Sequence, residues 1–207
     1  MKNKTTIIKI VAVALAIVMM AIAGYMFREH RTYKEPEVKK LSDYSDVIKG
    51  TVNDCNVYIF DSGVPGGTIL IWGRSHPEEP VGIMACQLLV ENLKVTQGRV
   101  FIIDSLNTSA STNTRVGEAY PRFFTYDCGW GNMKWRFGDR AGNQLDSWPD
   151  PEVYIHYPSG QNLANVDVRN INRTWPGKAN GLMTERTNYA ARQMIRQEHI
   201  DLAIDLH

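Results

Sequence analysis

The amino-acid sequence predicts an α/β protein with a mixed, partly parallel sheet flanked by helices, and with an N-terminal hydrophobic helix. Three observations carry this prediction. Residues 10–27 are almost wholly apolar, region 56–103 alternates strand-like and helix-like patterns, and a last apolar strand at 200–206 is followed by a histidine. A strand, a helix and a strand in that order indicate a crossover between parallel strands. We also expect the domain to be truncated at its C-terminus, because the chain stops at His207.

The composition is that of an ordinary globular protein. The chain has 207 residues, 43% of them hydrophobic, with 23 lysines and arginines against 22 acidic residues. This length predicts one domain, or one domain with appendages. A net charge so close to zero gives no electrostatic footprint for nucleic acid. We therefore expect no nucleic-acid partner.

The N-terminus has the features of a membrane or export signal. An apolar run of about 18 residues is just long enough to span a bilayer as a helix, and residues 10–27 form such a run. Secretory signals also begin with a basic region, which is supplied here by Lys2, Lys4 and Lys9. We predict a signal anchor or signal peptide at residues 1–28, with 10–27 in contact with the membrane. The protein is then membrane-anchored or secreted, with the rest of the chain outside the cytoplasm.

The polar segment that follows is predicted to be a linker. Residues 29–50 are charged, with Lys-rich patches, and have no pattern of a regular element. The folded domain is expected over residues 51–207. Its first two strands are predicted at Asn56–Phe60 and Thr68–Trp72, which are separated by a turn rich in glycine.

The remaining elements of the domain follow from periodicity. Glu79 to about Leu93 is predicted as a helix with one apolar face, and Arg99–Ile103 as the next strand. Segment 104–165 is long and rich in glycine, proline and aromatic residues, so we expect an ordered excursion over one end of the sheet. Thr184 to about Glu198 is predicted as a helix, and Ile200–Leu206 as the last strand.

Two candidate metal ligands follow the strand Thr68–Trp72. His76 and Glu79 are three residues apart near a helix start, so their side chains can share one face. In an open α/β sheet, ligands bind outside the carboxyl ends of the strands, where this pair falls. Imidazole nitrogens and carboxylate oxygens both bind zinc at about 2.0–2.2 Å.

A catalytic zinc site takes three protein ligands and keeps a fourth position open. His207 stands at the end of another apolar strand, at the same edge of the sheet, and completes a His, Glu, His set. The pair alone also has a plain structural interpretation. His76 would then be a loop histidine bonded to backbone, and Glu79 an acid favoured by the helix dipole.

Further motifs favour the metal-site interpretation. Asn170-Ile-Asn172-Arg173-Thr-Trp-Pro-Gly177 precedes the last helix, and the last strand ends in Asp205-Leu-His207. Together with the loop Gly73-x-x-His76-x-x-Glu79, these motifs resemble those of the succinylglutamate desuccinylase/aspartoacylase family, in the zinc carboxypeptidase superfamily. The chain departs from the family at Asn170-Ile171, where the family has Asp-Leu, and at Trp175, where it has Phe.

The resemblance implies roles for individual residues. The zinc ligands would be His76, Glu79 and His207, with Glu79 preferred over its neighbour because the family spacing is His-x-x-Glu. Asn172 and Arg173 would hold a carboxylate of the substrate, which suits the fork of a guanidinium. A structural salt bridge is the alternative for Arg173.

Two catalytic roles are matched less directly. The family polarises the scissile carbonyl with an arginine upstream of the Asn-Arg pair. Arg169 is the nearest candidate for this role, and Arg136 and Arg140 are alternatives. The family draws its general base from a glutamate well after the third zinc ligand, so this residue is not in the present chain.

The resemblance implies a Zn²⁺-dependent hydrolase that uses metal-activated water on an amide or ester bond of an N-acyl amino acid-like substrate. Two alternatives stay open. One is an extracytoplasmic metallocarboxypeptidase that acts on peptides or cell-wall stems. The other is a non-catalytic fragment that binds zinc or a carboxylate. In each case the expected partner is a small molecule or peptide that carries a carboxylate.

Overall fold

A computed structural model describes residues 2–30, 35–113, 121–127, 129 and 131–207. The chain divides into two compact units, Met1–Glu35 and Pro36–His207. The first unit contains helix α1 (Lys2–His30), in which Thr6–Tyr25 is long and apolar enough to cross a membrane, with a mean hydropathy of 2.6. The predicted hydrophobic helix is therefore present. Its length and composition fit a membrane anchor and a signal sequence equally.

The second unit alternates strands and helices along the chain. In order, its elements are β1 (Glu37–Lys40), β2 (Asn56–Asp61), β3 (Thr68–Trp72), α2 (Val81–Asn92), β4 (Arg99–Ile103), α3 (Thr108–Thr112), β5 (Phe123–Asp127), β6 (Asn132–Arg136), β7 (Tyr154–Ile155), β8 (Asn162–Leu163), α4 (Met183–Gln197) and β9 (Leu202–Asp205). β3 and β4 have the predicted bounds. The two helices and the last strand agree with the prediction to within a few residues.

Five of these strands form one mixed sheet in the order β1-β2-β4-β3-β9. β3 is parallel to both β4 and β9, whereas β2 is antiparallel to β1 and β4. Helix α2 connects β3 to β4, which is the predicted crossover. The fold class is therefore as predicted, and the carboxyl ends of β3, β4 and β9 lie at one edge.

The two faces of the sheet carry separate cores. Alternate residues of β4 point to opposite faces, as the pleat requires: Phe101 and Ile103 are fully buried in the larger core, and Ile102 is fully buried in the smaller one. The larger core includes Ala190, Ala191 and Met194 of α4, and the smaller one includes Cys86 of α2. One helix thus covers each face and leaves the carboxyl edge between them.

Segment 29–50, predicted as a linker, belongs to the folded unit from Pro36 onward. β1 pairs with β2 from Glu37–Ile59 to Lys40–Asn56, and Leu41 and Ile48 are fully buried. These two side chains enter the core from short 3-10 turns that contact α4. The linker prediction was therefore too long, because a polar edge strand and two isolated apolar residues give almost no periodic signal.

The excursion 104–165 contains ordered elements where the structure describes it. They are helix α3, the antiparallel hairpin β5–β6 and the short pair β7–β8. Arg140 forms an ion pair of 2.9 Å with Glu78, and the Arg136 carbonyl accepts from Arg74 at 3.2 Å. Both contacts reach the loop after β3, so this segment does cover the carboxyl edge of the sheet.

Candidate metal centre

The register of the sheet brings two distant segments together. Trp72, the last residue of β3, pairs with Asp205, the last residue of β9. Because these strands are parallel, the loop after β3 and the residues after β9 emerge side by side. His76 and His207 therefore lie at the same edge, although 131 positions of sequence separate them.

His76 and Glu79 lie in a turn that precedes α2. The Glu79 amide donates to the His76 carbonyl at 2.9 Å, and the helix begins only at Val81. The His76 ring is buried, with 2% exposure, and its Nδ1 is 3.2 Å from Glu79 Oε1. A turn closed over three residues therefore brings the two side chains together, which was expected of the first turn of a helix.

The three predicted ligands meet at one point. One ligand atom from each of His76, Glu79 and His207 lies within 4.8 Å of the other two, and the histidine rings pack edge to face with centroids 4.4 Å apart. Zinc bonds of about 2.1 Å in a tetrahedron put ligand atoms about 3.4 Å apart. Small side-chain rotations would therefore close this cluster on an ion. Two nitrogens and a carboxylate oxygen form a donor set that fits zinc.

Asn170 orients the first histidine, a function that the sequence motif did not reveal. Its Oδ1 lies 2.8 Å from Nε2 of the buried His76. A carbonyl oxygen only accepts hydrogen bonds, so Nε2 donates to Asn170, and Nδ1 is the ring nitrogen that faces the Glu79 carboxylate. A histidine that binds metal usually donates its second N–H to such an acceptor. The Asn170 departure from the family motif thus retains an acceptor without the carboxylate charge.

His207 is held by Asp205. The His207 amide donates to Asp205 Oδ1 at 2.8 Å, and the ring Nδ1 lies 3.4 Å from Oδ2. On the other side of the ring, Nε2 is 3.5 Å from Nδ2 of Asn172. His207 has a φ of +52°, in the left-handed region that few residues other than glycine adopt. The Asp205 carboxylate therefore holds both the left-handed backbone and the imidazole ring of His207.

Helix α2 touches the end of β9 through a glycine. A Cβ on Gly82 would lie 2.7 Å from the His207 carbonyl oxygen and 3.0 Å from that of Leu206. Real Cβ atoms do not approach backbone oxygens so closely, so the absence of a side chain lets the first turn of α2 rest on the residues that carry His207.

The predicted carboxylate site borders this cluster. Asn172 and Arg173 lie in a short 3-10 helix, Ile171–Arg173, and both side chains are exposed. Within the described part of the chain, no ion pair or hydrogen bond occupies the Arg173 guanidinium. The salt-bridge alternative for Arg173 thus gains no support from the described residues, and the role of this pair in substrate binding stays a prediction.

The arginines considered for carbonyl polarisation have other partners. Arg169 donates to Asp150 Oδ2 at 3.0 Å and to the Gly142 carbonyl at 2.8 Å, in a largely buried ion pair. The structure therefore does not bring Arg169 into the cluster. Arg136 donates to the Ser111 and Thr112 carbonyls.

The third arginine candidate and a neighbouring arginine also have partners. Arg140 is bound to Glu78, which leaves Glu79 as the acid that faces His76. Arg74 is next to the cluster in sequence and lies near Asp104. Burial lowers the pKa of Arg74 against the opposing charge of Asp104, and burial raises the pKa of Asp104.

The fold and the site define an α/β protein with a His, Glu, His cluster at the carboxyl edge of a mixed sheet. No protein-family model and no curated protein matches the chain. Among solved structures it is similar to an aspartoacylase family protein from Mesorhizobium loti, with a TM-score of 0.46 and 21% identity over 85% of this chain. It is also similar to the product-bound ectoine utilization protein EutE (DoeB) from Ruegeria pomeroyi, with a TM-score of 0.39 and 19% identity over 73% of this chain.

The chain spans 42% of the length of the first of these proteins and 32% of the second. The first belongs, by its name, to the family that the sequence motifs resemble. The fold class itself rests on the strand order and the two helices that cover the sheet.

Proposed function

We propose that this chain carries the metal site of a zinc-dependent hydrolase, which cleaves an amide or ester bond in an N-acyl amino acid-like substrate. One observation carries the proposal. Ligand atoms of His76, Glu79 and His207 converge within 4.8 Å at the carboxyl edge of a sheet, and Asn172, the neighbour of the exposed Arg173, lies 3.5 Å from the His207 ring. A metal site and a free cation at one edge suit a substrate that has both a scissile carbonyl and a carboxylate.

The residues of the chain have distinct tasks in this function. Bound zinc would supply a water of lowered pKa and a polarised carbonyl. Asn170 and Asp205 keep the two imidazole rings oriented, so that little reorganisation is needed when the site is filled. Arg173 would grip the substrate carboxylate through two parallel hydrogen bonds, and Asn172 would add an amide contact. These contacts would fix the scissile bond over the cluster.

The proposed location follows from helix α1. Its apolar segment Thr6–Tyr25 supports membrane contact or export, with the folded unit outside the cytoplasm. This helix also favours a second candidate function. An extracytoplasmic enzyme meets peptides and cell-wall stems, whose C-terminal carboxylates would fit the same Arg173 site, so metallocarboxypeptidase activity is the alternative.

The test is zinc stoichiometry combined with parallel assays. We expect the full chain, purified in detergent, to bind one zinc ion, and His76→Ala to lower its affinity by more than about a hundredfold, because a ligand matters more than its supporting residues. The matched control is His199→Asn. His199 is an exposed histidine in the same left-handed conformation (φ +50°), and its replacement should leave zinc binding unchanged.

The assays then separate the candidates. N-acyl amino acids and peptides are offered to the zinc-loaded chain under identical conditions. Preferential hydrolysis of the first class supports the deacylase, and preferential hydrolysis of the second supports the carboxypeptidase. One bound zinc with neither activity identifies a non-catalytic binding protein. A chain that takes up no zinc, and that behaves the same after His76→Ala, refutes the metal site.

A further inference from the structure

A hydrogen-bonded chain with the buried Ser75 at its centre connects the two segments that supply the histidines. Trp72 Nε1 lies 3.2 Å from Ser75 Oγ, and Ser75 Oγ lies 2.9 Å from Asp205 Oδ1. The same carboxylate oxygen accepts the His207 amide at 2.8 Å. Ser75 directly precedes His76, so this chain bridges the loop of the first candidate ligand and the strand end of the third.

The direction of the hydrogen bonds in this chain is fixed by its chemistry. An indole nitrogen can only donate and a carboxylate can only accept. The Ser75 hydroxyl therefore accepts from Trp72 and donates to Asp205, which leaves it a single orientation. Ser75 is 1% exposed, so water cannot replace either partner without opening the loop.

We propose that Ser75 is a positioning residue for the metal site. It does not bind the ion, but its hydroxyl holds the Asp205 carboxylate, and that carboxylate holds both the backbone and the ring of His207. The Ser75–Asp205 bond thereby fixes the separation between the loop of His76 and the end of β9. The effect on zinc affinity rests on the proposed function, whereas the effect on His207 does not depend on metal.

The loop is fixed independently at its other side, which makes the role of Ser75 specific to His207. Asn107, after β4, donates to the Ser75 carbonyl at 3.2 Å, and His76 is held by Asn170 at 2.8 Å. Removal of the Ser75 hydroxyl leaves both of these bonds in place. The first histidine should therefore keep its orientation while the third loses its support.

The experiment uses the full chain in detergent, labelled with ¹⁵N at histidine, and compares wild type with Ser75→Ala. Long-range ¹H–¹⁵N spectra of the metal-free protein report the tautomer and order of each ring. We expect the His207 signals to shift towards a mixture of tautomers and those of His76 to stay unchanged. A zinc titration against a chromophoric chelator should show about tenfold weaker binding.

Two further variants keep the test decisive. Ser75→Thr retains a hydroxyl and should restore the His207 signals and most of the affinity. If Ser75→Ala does not fold, Asp205→Asn is measured instead; it keeps an acceptor for Ser75 but weakens the bond to the ring, and it should change His207 in the same direction. Ser105→Ala is the matched control, because Ser105 is a buried serine after β4 whose hydroxyl lies 3.1 Å from the Thr108 hydroxyl.

The outcomes are distinguishable. Unchanged His207 signals in Ser75→Ala overturn the positioning role, and so does an equal loss of zinc affinity in Ser105→Ala. If the wild type binds no zinc, the proposed function fails. The metal-free spectra still decide whether Ser75 orients His207 in that case.

Discussion

The two ends of the same parallel strands differ in how completely their polar groups are paired. At the amino end, Glu198 accepts from Arg99 at 2.8 Å and from Tyr44 at 3.0 Å. At the carboxyl end, His76, Glu79 and His207 converge on one another, and the guanidinium of Arg173 has no partner among the described residues. At the amino end, the Glu198 carboxylate is thus hydrogen-bonded to side chains of the same protein. The carboxyl end has capacity left for a ligand, as expected at the carboxyl edge of parallel strands.

Two histidines that flank β9 show the same contrast in the backbone. His199 has a φ of +50° and lies two residues after the end of α4, at a position where helices often end in a left-handed residue. His207 has a φ of +52° but follows a strand, and its amide is held by the Asp205 side chain. A left-handed residue other than glycine costs about 1–2 kcal/mol. At His199 helix termination accounts for that cost, whereas at His207 the hydrogen bond from the backbone amide to Asp205 helps to offset it.

The largest effect is expected at Asn170, whose buried hydrogen bond orients His76 at the carboxyl end of the strands. Asn170→Ala should weaken zinc binding about a hundredfold, because His76 Nε2 loses its acceptor and the ring its orientation. Isothermal titration with zinc measures this change. Asn170→Asp keeps the acceptor and should retain binding. Asn53→Ala, at a fully buried asparagine bonded to Thr187 and Ser109, should lower stability and leave zinc affinity intact; a loss of affinity in this control would contradict the assignment.

A smaller effect is expected at Arg173, which tests whether its guanidinium binds a carboxylate of the substrate. Arg173→Ala should raise KM about 10–150-fold for substrates with a free carboxylate, since a charge-assisted hydrogen bond contributes about 1.5–3 kcal/mol. Amidated analogues should show no change. Arg173→Lys keeps the charge without the fork and should fall between the two. Arg196→Ala, at an exposed arginine in the last turn of α4, is the control. Equal losses for free and amidated substrates would exclude the carboxylate role.

The smallest effect is expected at Glu198, at the amino end of the parallel strands. Burial raises the pKa of Glu198, but hydrogen bonds from Arg99 and Tyr44 and the charge of Lys39 outweigh it, so the pKa lies below its ordinary value. A lowered folded pKa stabilises the protein above the unfolded value of about 4.3, and this contribution disappears as the pH falls through the folded pKa. Glu198→Gln should therefore cost about 1 kcal/mol at pH 7, a figure reduced for the partial exposure of Arg99.

Chemical denaturation of wild type and Glu198→Gln between pH 7 and pH 2.5 measures this dependence. The two unfolding free energies should converge towards the acid end. The control is Glu37→Gln, because Glu37 also approaches Lys39, at 3.7 Å, but is mostly exposed. Its replacement should change stability little at any pH. A difference for Glu198→Gln that persists at pH 2.5 would show that packing, and not charge, is responsible.

The sequence predicts an element well where its signal is local. β3 and β4 are short, buried, β-branched runs, and their bounds were predicted correctly. β1 was missed, because Glu-Val-Lys-Lys has one apolar residue and becomes a strand only by pairing with β2. Hairpin β5–β6 was anticipated only as part of an ordered excursion.

The same limit applies to the site. His76 and Glu79 are neighbours in sequence, and a strand end locates His207, so the three could be predicted together. Asn170 is hydrogen-bonded to His76 across 94 residues of sequence, and no pattern in the sequence predicts that bond. Arg169 was chosen for its nearness to the motif, yet its guanidinium is occupied by Asp150.

The contact between Gly82 and the end of β9 makes helix α2 sensitive to the state of the site. Because a Cβ on Gly82 would lie 2.7 Å from the His207 carbonyl oxygen, the two segments are in direct contact, and we expect a shift of one to displace the other. Ordering of His207 by a bound ion should therefore slow amide hydrogen exchange in the first turn of α2, and any larger residue at position 82 should uncouple the two by separating them. Amide exchange in the first turn of α2 would thus report whether the site is occupied.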